Sequence, residues 1–169
     1  MIDRKKVVTI YDSPFVKLYD LQYKEGAHYY DASRRPIDRL AAIQDRESLK
    51  AQTPDGMSAI VILKVKGQEP RLVLTREYRF PAGQFLLSVP AGLVDPEDCD
   101  PEAENPIQKA AFAAAVREIK EEIGVDLEET DTLQLVNPLV FSSPGLTDEA
   151  NALVKVTLNR DKRPAFSNE

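Results

Sequence analysis

The sequence predicts a mixed α/β fold, with a mixed sheet packed on helices in one compact unit. Three observations carry that expectation. Short runs rich in Val, Ile, Leu and Tyr alternate with turn residues through the first half of the chain and return after residue 131. Between them, residues 106–123 keep apolar side chains at helical spacing and are bounded by helix start and stop signals. At 169 residues and 43% hydrophobic content the chain can bury about 70% of its unfolded surface, and no repeat or low-complexity segment points elsewhere.

The strand candidates of the first half are 7–11, 15–23, 28–32, 58–65, 72–78 and 84–89. Asp12-Ser13-Pro14, Glu25-Gly26, Pro54-Asp55-Gly56 and Pro81-Ala82-Gly83 separate them, combining residues that pre-set or free the backbone for turns. Residues 37–52 read equally as helix or irregular loop. The clearest helix is Pro106–Ile123, with Asn105 as N-cap, Pro106 at the first helical position and Gly124 as the stop. Strands 132–141 and 152–158 follow, joined by a loop that opens with Ser142-Ser143-Pro144-Gly145. The polar tail, 161–169, is expected to fray.

Lys and Arg number 22 against 28 Asp and Glu, a net charge of −6. With no basic run of five or more, duplex nucleic acid is excluded as the main partner. No stretch approaches the roughly 20 apolar residues of a membrane span, and the N-terminus lacks the apolar core of a signal peptide. A soluble, cytoplasmic protein with no membrane partner is therefore expected. Cys99 cannot form an internal disulfide, and neighbouring Asp98 and Asp100 disfavour its thiolate, so it reads as a bystander. One cysteine and one histidine, His28, cannot assemble a tetrahedral zinc site. Any metal site must be built from oxygen, which points to Mg²⁺ or Mn²⁺.

On the predicted helix, with Phe112 at zero, Val116, Ile119 and Ile123 fall within about 40°, an apolar stripe expected to face the core. Glu118, Glu121 and Glu122 fall at about 240°, 180° and 280°, on the other side. Such a charge run is ordinarily a solvated face. Here, however, Glu118 and Glu122 are like charges at i, i+4, which costs about 0.2–0.5 kcal/mol. Neither has a Lys or Arg three or four residues away, and only Glu121 has relief, from Arg117. All three also lie near the C-terminal end, where the helix dipole disfavours anions. A divalent cation would account for carboxylates concentrated at so unfavourable a place.

Arg117-Glu118-Ile119-Lys120-Glu121-Glu122-Ile123-Gly124-Val125 resembles the second half of the Nudix box, G-x5-E-x7-R-E-U-x-E-E-x-G-U with U aliphatic. Arg76-Glu77-Tyr78-Arg79-Phe80-Pro81, Val89-Pro90-Ala91-Gly92-Leu93-Val94-Asp95 and Ser143-Pro144-Gly145 with Glu149 four residues on resemble the ADP-ribose pyrophosphatase branch of that superfamily. The resemblance covers residues 56–158, and more weakly the segment around His28-Tyr29-Tyr30-Asp31. It implies a Nudix-like α/β/α sandwich over 56–160, preceded by an antiparallel strand region over 1–55 of the kind that forms homodimers in this branch.

Carried over residue by residue, the resemblance implies Glu118, Glu122 and the Ala91 carbonyl as ligands of Mg²⁺ or Mn²⁺, with Glu121 beside them. Arg117 matches the arginine that orients a glutamate, in keeping with its helical spacing to Glu121. Glu149 matches the position proposed to bind metal or activate water. An acidic protein can hold an anionic substrate only through metals and local arginines, and Arg76 and Arg79 are the candidates, unless they form a plain surface pair. Tyr78, with Tyr29 and Tyr30, could stack on a nucleobase, although strand aromatics more often join the core. Ser143 and Gly145 complete the implied substrate contacts.

Counted back from Arg117, the box glutamate falls on Lys109, and Gly92 lies 25 residues before Arg117 where the pattern has 14. Eleven extra residues are thus inserted, expected within 96–106 as a solvated acidic loop carrying Glu97, Asp98, Asp100, Glu102 and Glu104. Glu102 or Glu104 could replace the missing carboxylate. Ser88 also stands where many members of the branch have glutamate. The leading expectation is a divalent-metal-dependent hydrolase of nucleoside diphosphates linked to another moiety, first among them ADP-ribose, yielding AMP and ribose 5-phosphate. The alternative is a catalytically weakened Nudix-fold protein that binds nucleotide or ADP-ribose.

Overall fold

The computed structural model describes residues 1–166, so the last three residues of the tail expected at 161–169 lie outside the described residues. Turn chemistry builds the N-terminal elements. Ser13 Oγ donates to the Val16 carbonyl at 2.7 Å and accepts from the Val16 N–H at 3.1 Å, turning Val7–Asp12 (β1) back into Lys17–Lys24 (β2). A turn at Glu25-Gly26 then leads into Ala27–Ser33 (β3), and the three strands form an antiparallel sheet in the order β1-β2-β3. Val7, Tyr19 and Leu21 pack with Leu40 beneath it.

The ambiguous stretch 37–52 proves to be two single 3-10 turns, Ile37–Arg39 and Ala41–Ile43, and a short helix, Arg46–Lys50 (α1). Asp45 caps that helix, accepting from the Ser48 N–H at 2.7 Å.

Gly56–Val65 (β4) alternates strictly: Met57, Ala59, Val61, Leu63 and Val65 are buried, as a half-covered strand requires. It pairs antiparallel with Arg71–Val73 (β5) and Ala91–Leu93 (β8). Thr132–Phe141 (β9) and Ala150–Arg160 (β10) complete a five-stranded sheet in which four strands run in the order β5-β4-β10-β9 and β8 lies off this path against β4. The strand expected at 72–78 is two strands, because the chain changes partner at Leu74. Its first part pairs β4, while Thr75–Arg79 (β6) pairs Gln84–Ser88 (β7) in a hairpin of its own. Pro106–Ile123 (α2) packs Ala111, Ala114, Ala115, Ile119 and Ile123 onto β4 and β10, where Ala152, Val154, Val156 and Leu158 are buried.

The described chain divides into two units. One comprises Met1–Asp55 with Leu139–Asn151, and the other Gly56–Pro138 with the segment from Ala152 onward. The mixed α/β architecture is as the sequence predicts. No helix among the described residues is long and apolar enough to cross a membrane.

Candidate active site

Helix α2 begins at Pro106 and stops where Gly124, at φ 69°, adopts the left-handed conformation that a side chain disfavours. Asn105 precedes it, but its side chain makes no capping bond. The larger departure is in which face is buried. Ala110, Ala111, Ala114, Ala115, Glu118, Ile119 and Ile123 are buried, while Val116 is 41% exposed. On the wheel used above, this face centres near 270°, roughly a quarter turn from the predicted stripe. Alanines let the helix approach the sheet closely, so packing selects the small-residue face over the one with the larger apolar side chains.

The consequence is chemical, because Glu118 and Glu122 lie on the buried side and Glu121 does not. Glu118 is 8% exposed, Glu122 is half-buried, and Glu121 is exposed. Strand β8 comes so close that a Cβ on Gly92 would stand 1.8 Å from Glu118 Oε1. Only glycine fits this approach. The Ala91 N–H bonds to the Glu122 carboxylate, yet Glu122 Oε2 is buried without a hydrogen-bond partner. Burial pushes the Glu122 carboxyl up from its ordinary range, and the charges of Glu118 and Glu77 add to it against the pull of the Ala91 N–H and Arg79.

Arg117 reaches Glu121 as its helical spacing implies, but it holds Glu118 more closely. Its Nη1 lies 2.6 Å from Glu118 Oε1 and 3.7 Å from Glu121 Oε2. Nη2 donates to the Leu93 carbonyl at 2.9 Å and to Asp98 Oδ2 at 3.0 Å, with Asp95 Oδ2 at 3.1 Å. The hydrogen bond to Asp98 and then that to Glu118 raise the guanidinium further above its usual range. The helix angle accounts for the longer contact to Glu121, and the contacts to Leu93 and Asp98 come from segments outside the helix.

Asp98 is the carboxylate partner of Arg117 that counting back from Arg117 missed. Counted forward from Gly92, it sits where the box places its carboxylate, with five residues between. The insertion therefore follows Asp98, and the segment just before it, Pro96–Asp98, forms a 3-10 turn in which Asp98 Oδ2 also accepts from the Asp95 N–H at 2.9 Å. Lys109 falls near 60° on the wheel, opposite Glu118, and pairs with Asp100 at 2.5 Å. That pairing holds the Asp100 carboxyl below its ordinary range. Cys99 is free and exposed.

On the β6–β7 hairpin, Tyr78 is 40% exposed and meets Phe80 and Phe85 edge-on at 5.1 and 5.2 Å. Arg76 lies over the Phe85 ring at 4.1 Å, and Arg79 pairs with Glu77 at 2.8 Å. Tyr29 and Tyr30 are also exposed, so none of the three tyrosines joins the core.

Glu149, Ser143 and Gly145 belong to the first unit. The Ser143 carbonyl accepts from the Leu146 and Thr147 N–H groups, Gly145 accepts from the Tyr29 hydroxyl, and Glu149 Oε2 meets Arg34 Nε at 3.1 Å.

Residues 54–162 match the model of the NUDIX domain. The chain belongs to the Nudix family. The ADP-sugar pyrophosphatase of Mus musculus is 30% identical to this Nudix chain over 112 residues, covering 66% of it and 44% of the mouse protein. The ADP-ribose pyrophosphatase of Saccharomyces cerevisiae is 33% identical over 107 residues, 62% of the chain and 39% of that protein. Nudix hydrolase 14, chloroplastic, of Arabidopsis thaliana is 35% identical over 98 residues, 54% and 28%. The Nudix chain thus spans less than half the length of these curated relatives. The crystal structure of an ADP compounds hydrolase matches with a TM-score of 0.52 and 18% identity, over 96% of this chain and 74% of that one, a likeness of fold.

Among the described residues no three His, Cys, Asp or Glu side chains form a ready-made metal cluster. The donors still fit a hard divalent cation. Two carboxylates share the buried side of α2, one with an unpartnered buried oxygen, beside the main chain of Ala91.

Proposed function

We propose that this chain is a divalent-metal-dependent hydrolase that cleaves the pyrophosphate bond of a nucleoside diphosphate linked to another moiety, with ADP-ribose as first substrate and AMP and ribose 5-phosphate as products. The observation that carries it is the Glu118–Glu122 pair on the packed side of α2, where Glu122 Oε2 is buried with no hydrogen-bond partner in the protein, as a cation's ligand would be. The names of the mouse and yeast relatives support the substrate class.

In this reading Glu118, Glu122 and the Ala91 carbonyl hold Mg²⁺ or Mn²⁺. The ion supplies charge neutralisation for the pyrophosphate and a lowered pKa for water. Arg117 keeps Glu118 turned toward β8, and Asp98 fixes Arg117 in turn. Arg76 and Arg79 contact phosphate oxygens, Tyr78 contacts the base, and Ser143 and Gly145 line the substrate loop. Glu149 takes a proton from the attacking water as its oxygen bonds to one phosphorus and the bridging P–O bond breaks. Glu121, exposed beside Arg117, serves as an outer carboxylate.

The alternative of a weakened binding protein drew on Lys109. Asp98 against Arg117, and the pairing of Lys109 with Asp100 on the other side of α2, favour hydrolysis. The exposed apolar side chains of the N-terminal sheet and the turn after β1, Val8, Ile10, Tyr11 and Phe15 among them, support a homodimer, for which light scattering should give twice 18.9 kDa.

The deciding experiment measures AMP release from ADP-ribose with Mg²⁺ and with Mn²⁺, beside a panel of other nucleoside diphosphate compounds, for the native protein and Glu122→Gln. We expect turnover with ADP-ribose, at least a hundredfold lower in the variant, and a rise in melting temperature with metal that the variant lacks. Absence of product from every compound, with ADP-ribose still raising the melting temperature, would establish a binding protein instead.

A further inference from the structure

The loop that carries Glu149 is fastened, almost residue by residue, to the end of β3 and the segment after it. The Tyr29 hydroxyl donates to the Gly145 carbonyl at 3.1 Å, and the Ala32 N–H to the Leu146 carbonyl at 2.9 Å. Asp148 is held four ways: its N–H donates to Asp31 Oδ1 at 2.9 Å, and its carboxylate accepts from Ser33 Oγ at 2.6 Å, from the Ala41 N–H at 3.0 Å and from Arg35 Nη1 at 3.4 Å. Asp31, Ser33, Arg35 and Asp148 are all at least nine-tenths buried, so these bonds work in a medium that strengthens them. A loop is ordinarily the more mobile part of a fold, and this one is anchored by buried polar groups.

Within that frame the backbone of Glu149 is fixed by its own loop. Its N–H donates to Thr147 Oγ1 at 3.0 Å, and its carbonyl accepts from the Ser142 N–H at 3.0 Å. The side chain still has three rotatable bonds, and Arg34 Nε meets its Oε2 at 3.1 Å. Arg34 and Glu149 are 46% and 32% exposed, so as a stabilising ion pair the contact is worth little, about 0–1 kcal/mol. Its effect is to select one direction for the carboxylate.

We propose that Arg34 is a positioning residue for Glu149: the Tyr29–Arg35 segment holds the loop, and Arg34 aims the carboxylate. The proposal rests on the reading of Glu149 as the base above. A base misaimed by an ångström loses much of its effect although nothing in the fold has failed.

The test is a double-mutant cycle on ADP-ribose hydrolysis with Arg34→Ala, Arg34→Lys, Glu149→Gln and the double variant Arg34→Ala with Glu149→Gln, each with its melting temperature. We expect Arg34→Ala to lower kcat about tenfold with KM within about twofold and the melting temperature unchanged, Arg34→Lys to recover part of the loss, and Arg34→Ala to change nothing further once Glu149 is glutamine. A rise in KM at unchanged kcat would make Arg34 a substrate contact. An equal loss in both backgrounds would make it act independently of Glu149. Native kcat in Arg34→Ala beside a slow Glu149→Gln would leave Glu149 the base and remove Arg34 from the mechanism. Any of these overturns the proposal alone, whereas native turnover by Glu149→Gln, or none by the native protein, overturns the reading of Glu149 and this proposal with it.

Discussion

Arg117 Nη2 lies 3.0 Å from Asp98 Oδ2, joining the arginine beside the buried glutamates to the residue six positions after Gly92. The contact makes Asp98, rather than Lys109, the partner of Arg117. Supporting residues of this kind commonly cost ten- to a hundredfold when removed. Asp98→Asn should accordingly lower kcat/KM for ADP-ribose by about 10–100-fold and weaken the response to Mg²⁺, while Lys109→Ala stays within about threefold. Titrating both variants with Mg²⁺ and comparing half-saturation decides the matter, and an Asp98→Asn protein with native metal response would return Asp98 to the solvated loop.

Gly92 offers a steric probe of the same centre. An added methyl group would meet Glu118 Oε1 at 1.8 Å and Cδ at 2.0 Å, and this carboxylate is buried and held by Arg117, so it cannot simply swing aside. Gly92→Ala should destabilise the protein by about 1–3 kcal/mol in urea unfolding, as overpacked sites do, and reduce turnover more than tenfold. Native stability together with native turnover would show that β8 yields instead.

Asp31 predicts a pH dependence of stability. Burial, and then the charge of Asp148, raise its carboxyl to about 6 from 3.8, against the Asp148 N–H and Arg35, which pull it down. The folded protein therefore keeps a proton that the unfolded chain releases, so stability falls as pH rises from about 4 to about 6, and the full penalty stands above that. Asp31→Asn carries no such penalty. Its unfolding free energy relative to the native protein should improve between pH 4 and pH 7.5 by on the order of 1–3 kcal/mol. A difference independent of pH would mean that Asp31 titrates alike in the folded and unfolded chain.

Much of the fold is legible in the sequence, because strands and helix are written in local patterns. The turn residues around Gly26 and Gly83, the alternation of β4 and the Pro106 and Gly124 boundaries of α2 each depend on neighbours within a few positions. The Nudix family was legible for the same reason, since Arg117–Val125 is a contiguous run. Leu74 was less so: whether a run of apolar residues is one strand or two depends on which partners it meets, and those lie elsewhere in the chain.

By itself, then, the sequence determined the α/β class, the helix limits and the identity of the clustered carboxylates. Tertiary structure alone decided which face of α2 is buried, that Glu118 and Glu122 lie on it, and that Arg117 meets Glu118 and Asp98 more closely than Glu121. The physical reason is that helical angle measures only the helix. A sheet that packs on alanines, and a glycine at 92 that lets a strand come within reach of Glu118, are properties of the surface on which the helix lies.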